Sequence, residues 1–274
     1  IALATGIFSL SMSSLAGFGA WVVVPMTTVF GWQMAMSAWA FFGVATIVIW
    51  GYLYCSYKPI SHPPSASTPH HASAHFSPWR TPKAWQMAIL LGVQSMLFYT
   101  LASFLPSIGT SLGLGISSAT GLAFIFQMMS PLAIVVLTFL VRRGVGIRVF
   151  GIIGTLCNAL GIAGLLWLPS TPILWSALMG LGCALVFTLS LMMFSLRTQN
   201  TDHARDLSGM VQAVGYAIAL FGPLSMGKLF ELTGSWHTPL LILLILMLIN
   251  IPFGFLATDE GKIDAIDTRV SPPH

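Results

Sequence analysis

Long apolar runs alternate along the chain with short polar or Gly/Pro-containing breaks, and this alternation is the dominant pattern of the sequence. A bilayer core of roughly 30 Å is crossed by about 20 apolar residues in a helix. That ruler predicts spans near 3–29, 33–55, 84–106, 117–141, 147–168, 173–196, 208–230 and 237–257. Inside lipid every backbone polar group has to be satisfied within its own segment, so runs of this length read as helices. The predicted fold class is all-α: a polytopic transmembrane helix bundle of about eight spans.

Composition narrows the class further. Of 274 residues, 56% are hydrophobic and 7% are charged, whereas a soluble domain carries about a quarter of its residues as Asp, Glu, Lys or Arg. A mean hydropathy of +0.87 agrees. Soluble enzymes and nucleic-acid binders are excluded, and the net charge of +4 reads as loop basicity rather than a nucleic-acid patch. Cys55, Cys157 and Cys183 are odd in number and lie in or beside apolar runs, so they read as small buried hydrophobes, not a disulfide framework. The first residue is Ile1, and no basic stretch precedes the first apolar run. The expectation is a chain that begins in mid-protein.

Basic residues orient the spans. Lys58, Arg80 and Lys83 lie in the second break, Arg142, Arg143 and Arg148 at the fourth, Arg197 and Arg205 in the sixth, and Lys262 and Arg269 in the tail. The first, third and fifth breaks hold no Lys or Arg, and Lys228, near the end of the seventh span, is the exception. The positive-inside rule then places the even-numbered breaks and the C-terminus in the cytoplasm, with the inner (plasma) membrane as the expected location. The stretch from Lys58 to Lys83 is rich in Pro, Ser, Ala and His and is nearly free of branched aliphatic residues, the composition of a linker. Its His62, His70, His71 and His75 have no Cys nearby and no fixed ligand spacing, so they read as solvated, and neither metal nor cofactor is expected.

The segment VQSMLFYTLASFLPSI (Val93 to Ile108), the Gly31-Trp32 pair, the run from Leu207 to Tyr216, Gly222-Pro223 and the run from Leu232 to Trp236 together resemble the cyanate and nitroimidazole permease (CynX/NimT) type of the major facilitator superfamily (MFS). The resemblance covers nearly the whole chain. It implies a secondary active transporter that moves a small solute by alternating access, built from twelve helices in two six-helix bundles. The spans would be helices five to twelve: 1–55 the last two helices of the N-terminal bundle, 56–83 the cytoplasmic linker, 84–257 the C-terminal bundle, and 258–274 a cytoplasmic tail. The run Val141 to Arg148 keeps the basic residues of the superfamily's loop motif but lacks its acid.

The resemblance also implies that helices seven, eight, ten and eleven approach the central cavity, which makes polar residues on them the candidate substrate-binding set. Ser95 and Tyr99 share a face, with Gln94 beside them; Gln127 lies mid-span in helix eight; Ser208, Gln212 and Tyr216 repeat at fourfold spacing. Each can equally tie two helices together. Asn158 and Asn250, on helices nine and twelve, read as structural. Lys228 and Glu231, three apart near the external end of helix eleven, are a surface pair and a candidate external gate. Pro106, Pro131, Pro172 and Pro223 mark helix ends or kinks. The Gly-rich span at Gly151, Gly154, Gly161 and Gly164 is a general close-packing pattern.

No Asp, Glu, Lys, Arg or His lies at depth in any span. An intramembrane enzyme needs such groups, so enzymatic activity is not expected. A non-transporting sensor or partner subunit is the rival reading. The expected partners are a small-molecule substrate, a small anion or compact nitrogen compound, a coupling proton or ion, and the lipid bilayer; the expected state is a monomer. Any cation that balances an anionic substrate is expected upstream of Ile1, and the chain alone is expected to be transport-inactive.

Overall fold

The computed structural model describes residues 2–56, 76–258 and 263, and its regular elements are all helical. They are α1 (Ala2–Ser56), α2 (Pro82–Ser111), α3 (Ile116–Arg142), α4 (Ile147–Trp167), α5 (Pro172–Leu196), α6 (Thr201–Thr233) and α7 (His237–Leu256), with a short 3-10 turn at Pro78–Arg80 before α2. Seven of the described helices are long and apolar enough to cross a membrane. The linker histidines, Lys58, Lys262 and Arg269 lie outside the described residues.

The chain divides into two units, 18–75 and 1–17 with 76–274. In the first, α1 breaks at Gly31, whose φ of 81° and ψ of 161° leave the helical region. Only glycine takes that conformation without strain. Twenty residues of straight helix span about 30 Å, yet the Trp39 ring lies 3.2 Å from where a Cβ on Gly19 would sit. The chain therefore folds back at Gly31, and the spans predicted at 3–29 and 33–55 are two arms of one helical element.

The larger unit packs α2 to α7 together, with α2 against α6, α5 against both α3 and α4, and α7 against α4 as its main interfaces. Lipid is as apolar as leucine, so these contacts rest on close van der Waals packing and interhelical hydrogen bonds rather than on the hydrophobic effect. The Gly-rich span shows this directly. A Cβ on Gly154 would stand 2.6 Å from Val186 Cγ2, one on Gly161 would overlap Met179, and one on Gly164 would overlap the Trp175 ring, so α4 lies on α5 along its glycines. Gly151 turns instead to α7, where the Gly254 carbonyl would be 2.8 Å from its Cβ. Large apolar side chains on the other faces stay exposed, as with Leu132, Val135 and Phe139 of α3 or Ile245, Leu248 and Ile249 of α7. Their helical spacing makes a lipid-facing stripe.

Helix ends depart from the predicted spans for local reasons. Pro106, Pro131 and Pro223 lie inside α2, α3 and α6, while Pro172 opens α5 at its first turn, where its missing N–H costs nothing. The α6 helix begins at Thr201, ahead of the predicted 208, because the Asn200 side chain caps it by accepting from the His203 N–H at 2.8 Å, with Asp202 in its first turn. It ends on Gly234 in the left-handed conformation (φ 64°). Cys183 is buried and Cys157 half-buried, but Cys55 is exposed, contrary to the reading of all three as buried. A cysteine at the edge of an apolar span meets lipid as readily as protein.

Two apolar clusters fill the larger unit. One joins Ala84, Leu91, Ala133, Leu137, Met193 and Leu207; the other joins Leu101, Ile108, Phe126, Ile162, Met179 and Trp236. Along α2 the first stops at Leu91 and the second starts at Met96, and along α3 they are separated between Phe126 and Ala133. The polar residues Gln94, Ser95, Gln127 and Ser130 occupy that gap.

Candidate functional site

A cavity opens at this level of the bundle, with walls from α2, α3 and α5 and with Met12 of α1 at its edge. Gln94, Ser95, Phe98 and Tyr99 come from α2, Gln127, Ser130 and Ile134 from α3, and Cys183, Ala184, Phe187 and Thr188 from α5. Helical spacing explains the grouping: 94, 95, 98 and 99 form one face of α2, and 127, 130 and 134 one face of α3. The cavity encloses about 80 Å³, room for on the order of five waters or a compact solute. Its walls are mostly apolar with a few polar groups, and no charged side chain lines it, the make-up of a small-molecule site.

The polar groups are not consumed by the fold. Gln94 is 1% exposed, Ser95 3% and Thr188 0%. Gln94 Nε2, Ser95 Oγ and Thr188 Oγ1 nevertheless have no hydrogen-bond partner. A buried serine or threonine in a membrane helix ordinarily donates to the carbonyl one turn back, as Thr100 does to Met96 O at 2.8 Å and Ser190 to Val186 O at 2.8 Å. Ser95 and Thr188 do not. Cys183, beside Gln94, offers only a weakly accepting sulfur. An unsatisfied buried polar group costs about 1–3 kcal/mol, so three around one cavity make sense where a solute or water completes them.

Gln94 Oε1 is satisfied: it accepts from Asn158 Nδ2 at 2.7 Å, across the bundle from α4. Asn250 ties α7 to α2 by donating to Leu90 O at 3.4 Å.

The structure thus brings four of the predicted site residues together, Gln94, Ser95, Tyr99 and Gln127. It adds Ser130, Cys183 and Thr188, which sequence reasoning missed. Ser130 had a usable signal, one turn beyond Gln127 on the same face, whereas Thr188 sits among leucines and phenylalanines with nothing local to single it out. The α6 residues lie elsewhere. Gln212 Nε2 donates to Ser208 Oγ of its own helix at 2.6 Å, and Tyr216 is 36% exposed; neither lines the cavity. Lys228 and Glu231 pair at 2.9 Å with both side chains about two-thirds exposed, a contact of the kind that contributes about 0–1 kcal/mol. Among the described residues no group of three or more His, Cys, Asp or Glu could hold a metal.

Residues 1–219 match the family model described as Major Facilitator Superfamily. The chain is 33% identical to the 2-nitroimidazole transporter of Escherichia coli (strain K12) over 96% of its own length and 66% of that protein's. It is 24% identical to the cyanate transport protein CynX of the same organism, over 92% of this chain and 65% of CynX. A putative anionic 4-hydroxy-benzoate permease of Thauera aromatica is 39% identical over 41% of this chain and 68% of that protein. The chain spans about two-thirds of the length of the first two relatives.

Proposed function

The chain belongs to the major facilitator superfamily, and from that premise we propose that it is part of a secondary active transporter whose α2–α3–α5 cavity is the half-site for a compact solute. The observation that carries this reading is the set of three buried, unpartnered polar atoms around one cavity, Gln94 Nε2 and Ser95 Oγ from α2 and Thr188 Oγ1 from α5. Polar atoms left open in an apolar bundle are costly, and a transport site has to leave its groups available to both water and solute. It is a multi-pass membrane protein, here read as lying in the inner membrane with its C-terminus cytoplasmic, acting as a monomer and drawing on a coupling proton or ion. The domain reading goes with it: 1–55 closes an N-terminal bundle, 56–83 is the linker, 84–257 is the C-terminal bundle and 258–274 a tail. Lys228 and Glu231 are retained as an external gate, and Gln212 and Tyr216 as contacts made in another conformation of the transport cycle. No enzymatic step enters this reading.

The names of the relatives suggest the probes: 2-nitroimidazole, cyanate and 4-hydroxybenzoate. With no charged side chain in the cavity wall, an anion would be held by neutral donors and helix dipoles, and neutral 2-nitroimidazole is the better match. Membrane vesicles carrying the intact gene product are expected to take up 2-nitroimidazole saturably, with competition by unlabelled solute. Uptake that stays linear with concentration and matches protein-free vesicles would contradict the transport reading.

A further inference from the structure

We infer that Arg142 and Arg143, at the end of the lipid-facing stripe of α3, form a binding site for the headgroup of an anionic phospholipid whose acyl chain lies along that stripe. The site is separate from the cavity and does not depend on what the cavity carries.

Helix geometry puts an apolar track and a cation in register. Leu132, Val135, Val136 and Phe139 are exposed on one face of α3, and Arg143 continues that face one turn beyond Phe139. The step from Leu132 to Arg143 rises about 16 Å, close to one leaflet's half of a hydrocarbon core roughly 30 Å thick. At the end of the track the Arg143 guanidinium lies 4.3 Å from the centre of the Phe139 ring. A guanidinium held flat on an aromatic face keeps its in-plane N–H donors for other partners, and phosphate accepts them in pairs. Arg142, in the last turn of α3, is exposed beside it. No acid competes locally, because residues 139–150 contain no Asp or Glu. The turn leads into α4, whose N-terminus has no side-chain cap and adds the positive end of a helix dipole. By contrast, Arg197 is buried and donates to Thr258 O at 2.7 Å, and Arg205 lies 3.7 Å from both Asp202 and Asp206, so these two are engaged within the protein. The start of α2 marks the same level independently. Ala84 shares an apolar cluster with Leu137 of α3, and on either side of it Trp79 and Trp85 are exposed, their rings edge to face at 6.1 Å. Tryptophan concentrates at the boundary between hydrocarbon and headgroups, which is where lipid phosphates lie. A soluble anion would meet the same charges, but an apolar track of leaflet length ending on the guanidinium fits an anion that carries an acyl chain.

Lipid retention by the purified intact gene product tests the site. The detergent-solubilised protein is incubated with an equimolar mixture of phosphatidylglycerol and phosphatidylcholine, and the bound lipid is read by intact-mass measurement. Phosphatidylglycerol should be retained about tenfold over phosphatidylcholine, the scale expected of two arginines at an anionic headgroup. In the double variant Arg142→Gln with Arg143→Gln the preference should fall to within about twofold of none. Both side chains are exposed, so this variant should elute from size exclusion as the wild type does. Arg205→Gln, which removes an equally exposed arginine away from the α3 stripe, should leave the preference unchanged. A wild type without preference, or a preference that survives the double variant, overturns the inference. An equal fall in Arg205→Gln overturns it too, because the lipid would then be answering net charge alone. Glycerol 1-phosphate in large excess should not displace the lipid, and complete displacement would make this a site for soluble phosphate and contradict the lipid assignment.

Discussion

Gln94→Leu is expected to lower the efficiency of solute uptake by about 10- to 100-fold while leaving a folded protein. The substitution keeps side-chain volume close to that of glutamine and removes the one amide whose NH2 is buried at the cavity without a partner. Leaving a buried acceptor of the solute without its donor costs about 1–3 kcal/mol, and each 1.4 kcal/mol is tenfold. The structural cost is smaller. Asn158 Nδ2 loses its acceptor, and interhelical hydrogen bonds in membranes contribute about 0.6 kcal/mol on average and at most about 1.7. Gln212→Leu is the internal comparison, because its amide is bonded within α6 and lies off the cavity wall. Its effect on initial uptake rates should be several-fold weaker. Equal losses in the two variants would put the solute on α6 and not between α2, α3 and α5.

A large effect on stability is expected at Gly161. A Cβ there overlaps Met179 and comes within 3.1 Å of the Trp175 carbonyl oxygen; backbone cannot swing aside as a flexible side-chain end can. Gly161→Leu adds further carbons at the same point, forcing α4 off α5, and overpacking of this kind costs about 3 kcal/mol or more. Detergent-solubilised Gly161→Leu should show a strongly lowered unfolding temperature or aggregate on size exclusion. Gly121→Ala serves as the contrast: nothing lies within 4 Å of its Cβ position, so removing a helical glycine should be neutral or mildly stabilising. Matching behaviour of the two variants would refute the account of the α4–α5 interface.

Particular residues show what the sequence made legible. Span length and hydropathy are one-dimensional quantities, so the helices could be placed by a ruler, and the Gly-rich span could be recognised as close-packing before its partner was known. Which helix it packs on could not, because Gly161 meets Met179 and Gly151 meets Gly254 through crossings that no local pattern encodes. Helix ends failed where polar residues extend a membrane helix past the apolar run, as from Thr201 to Leu207, although Asn200 followed by Thr201 and Asp202 was a readable cap. Proline misled at Pro106, since one lost backbone bond does not end a helix held by its neighbours.

The lining of the cavity was half legible for a related reason. Glutamine in an apolar span is conspicuous, and Gln94 and Gln127, which line the cavity with Tyr99, were singled out on that ground. The four-residue repeat of Ser208, Gln212 and Tyr216 looked equally good, yet Gln212 spends its amide on Ser208. Asn158 read as structural because it lies on a helix remote from the cavity, and its bond to Gln94 joins residues 64 apart in sequence. Thr188 was missed because a threonine normally bonds its own helix, and its lack of any partner is visible only in three dimensions.

The central claim is that a solute occupies the space beside Gln94, Ser95 and Thr188. The most direct measurement is solute protection of a reporter thiol at Ser95, using Ser95→Cys in the intact gene product with Cys55, Cys157 and Cys183 replaced by alanine. A small water-soluble methanethiosulfonate reagent is expected to modify this cysteine, and saturating 2-nitroimidazole to slow the modification several-fold. A folded protein whose residue 95 thiol is never modified, or is modified at the same rate with and without the solute, would contradict the account.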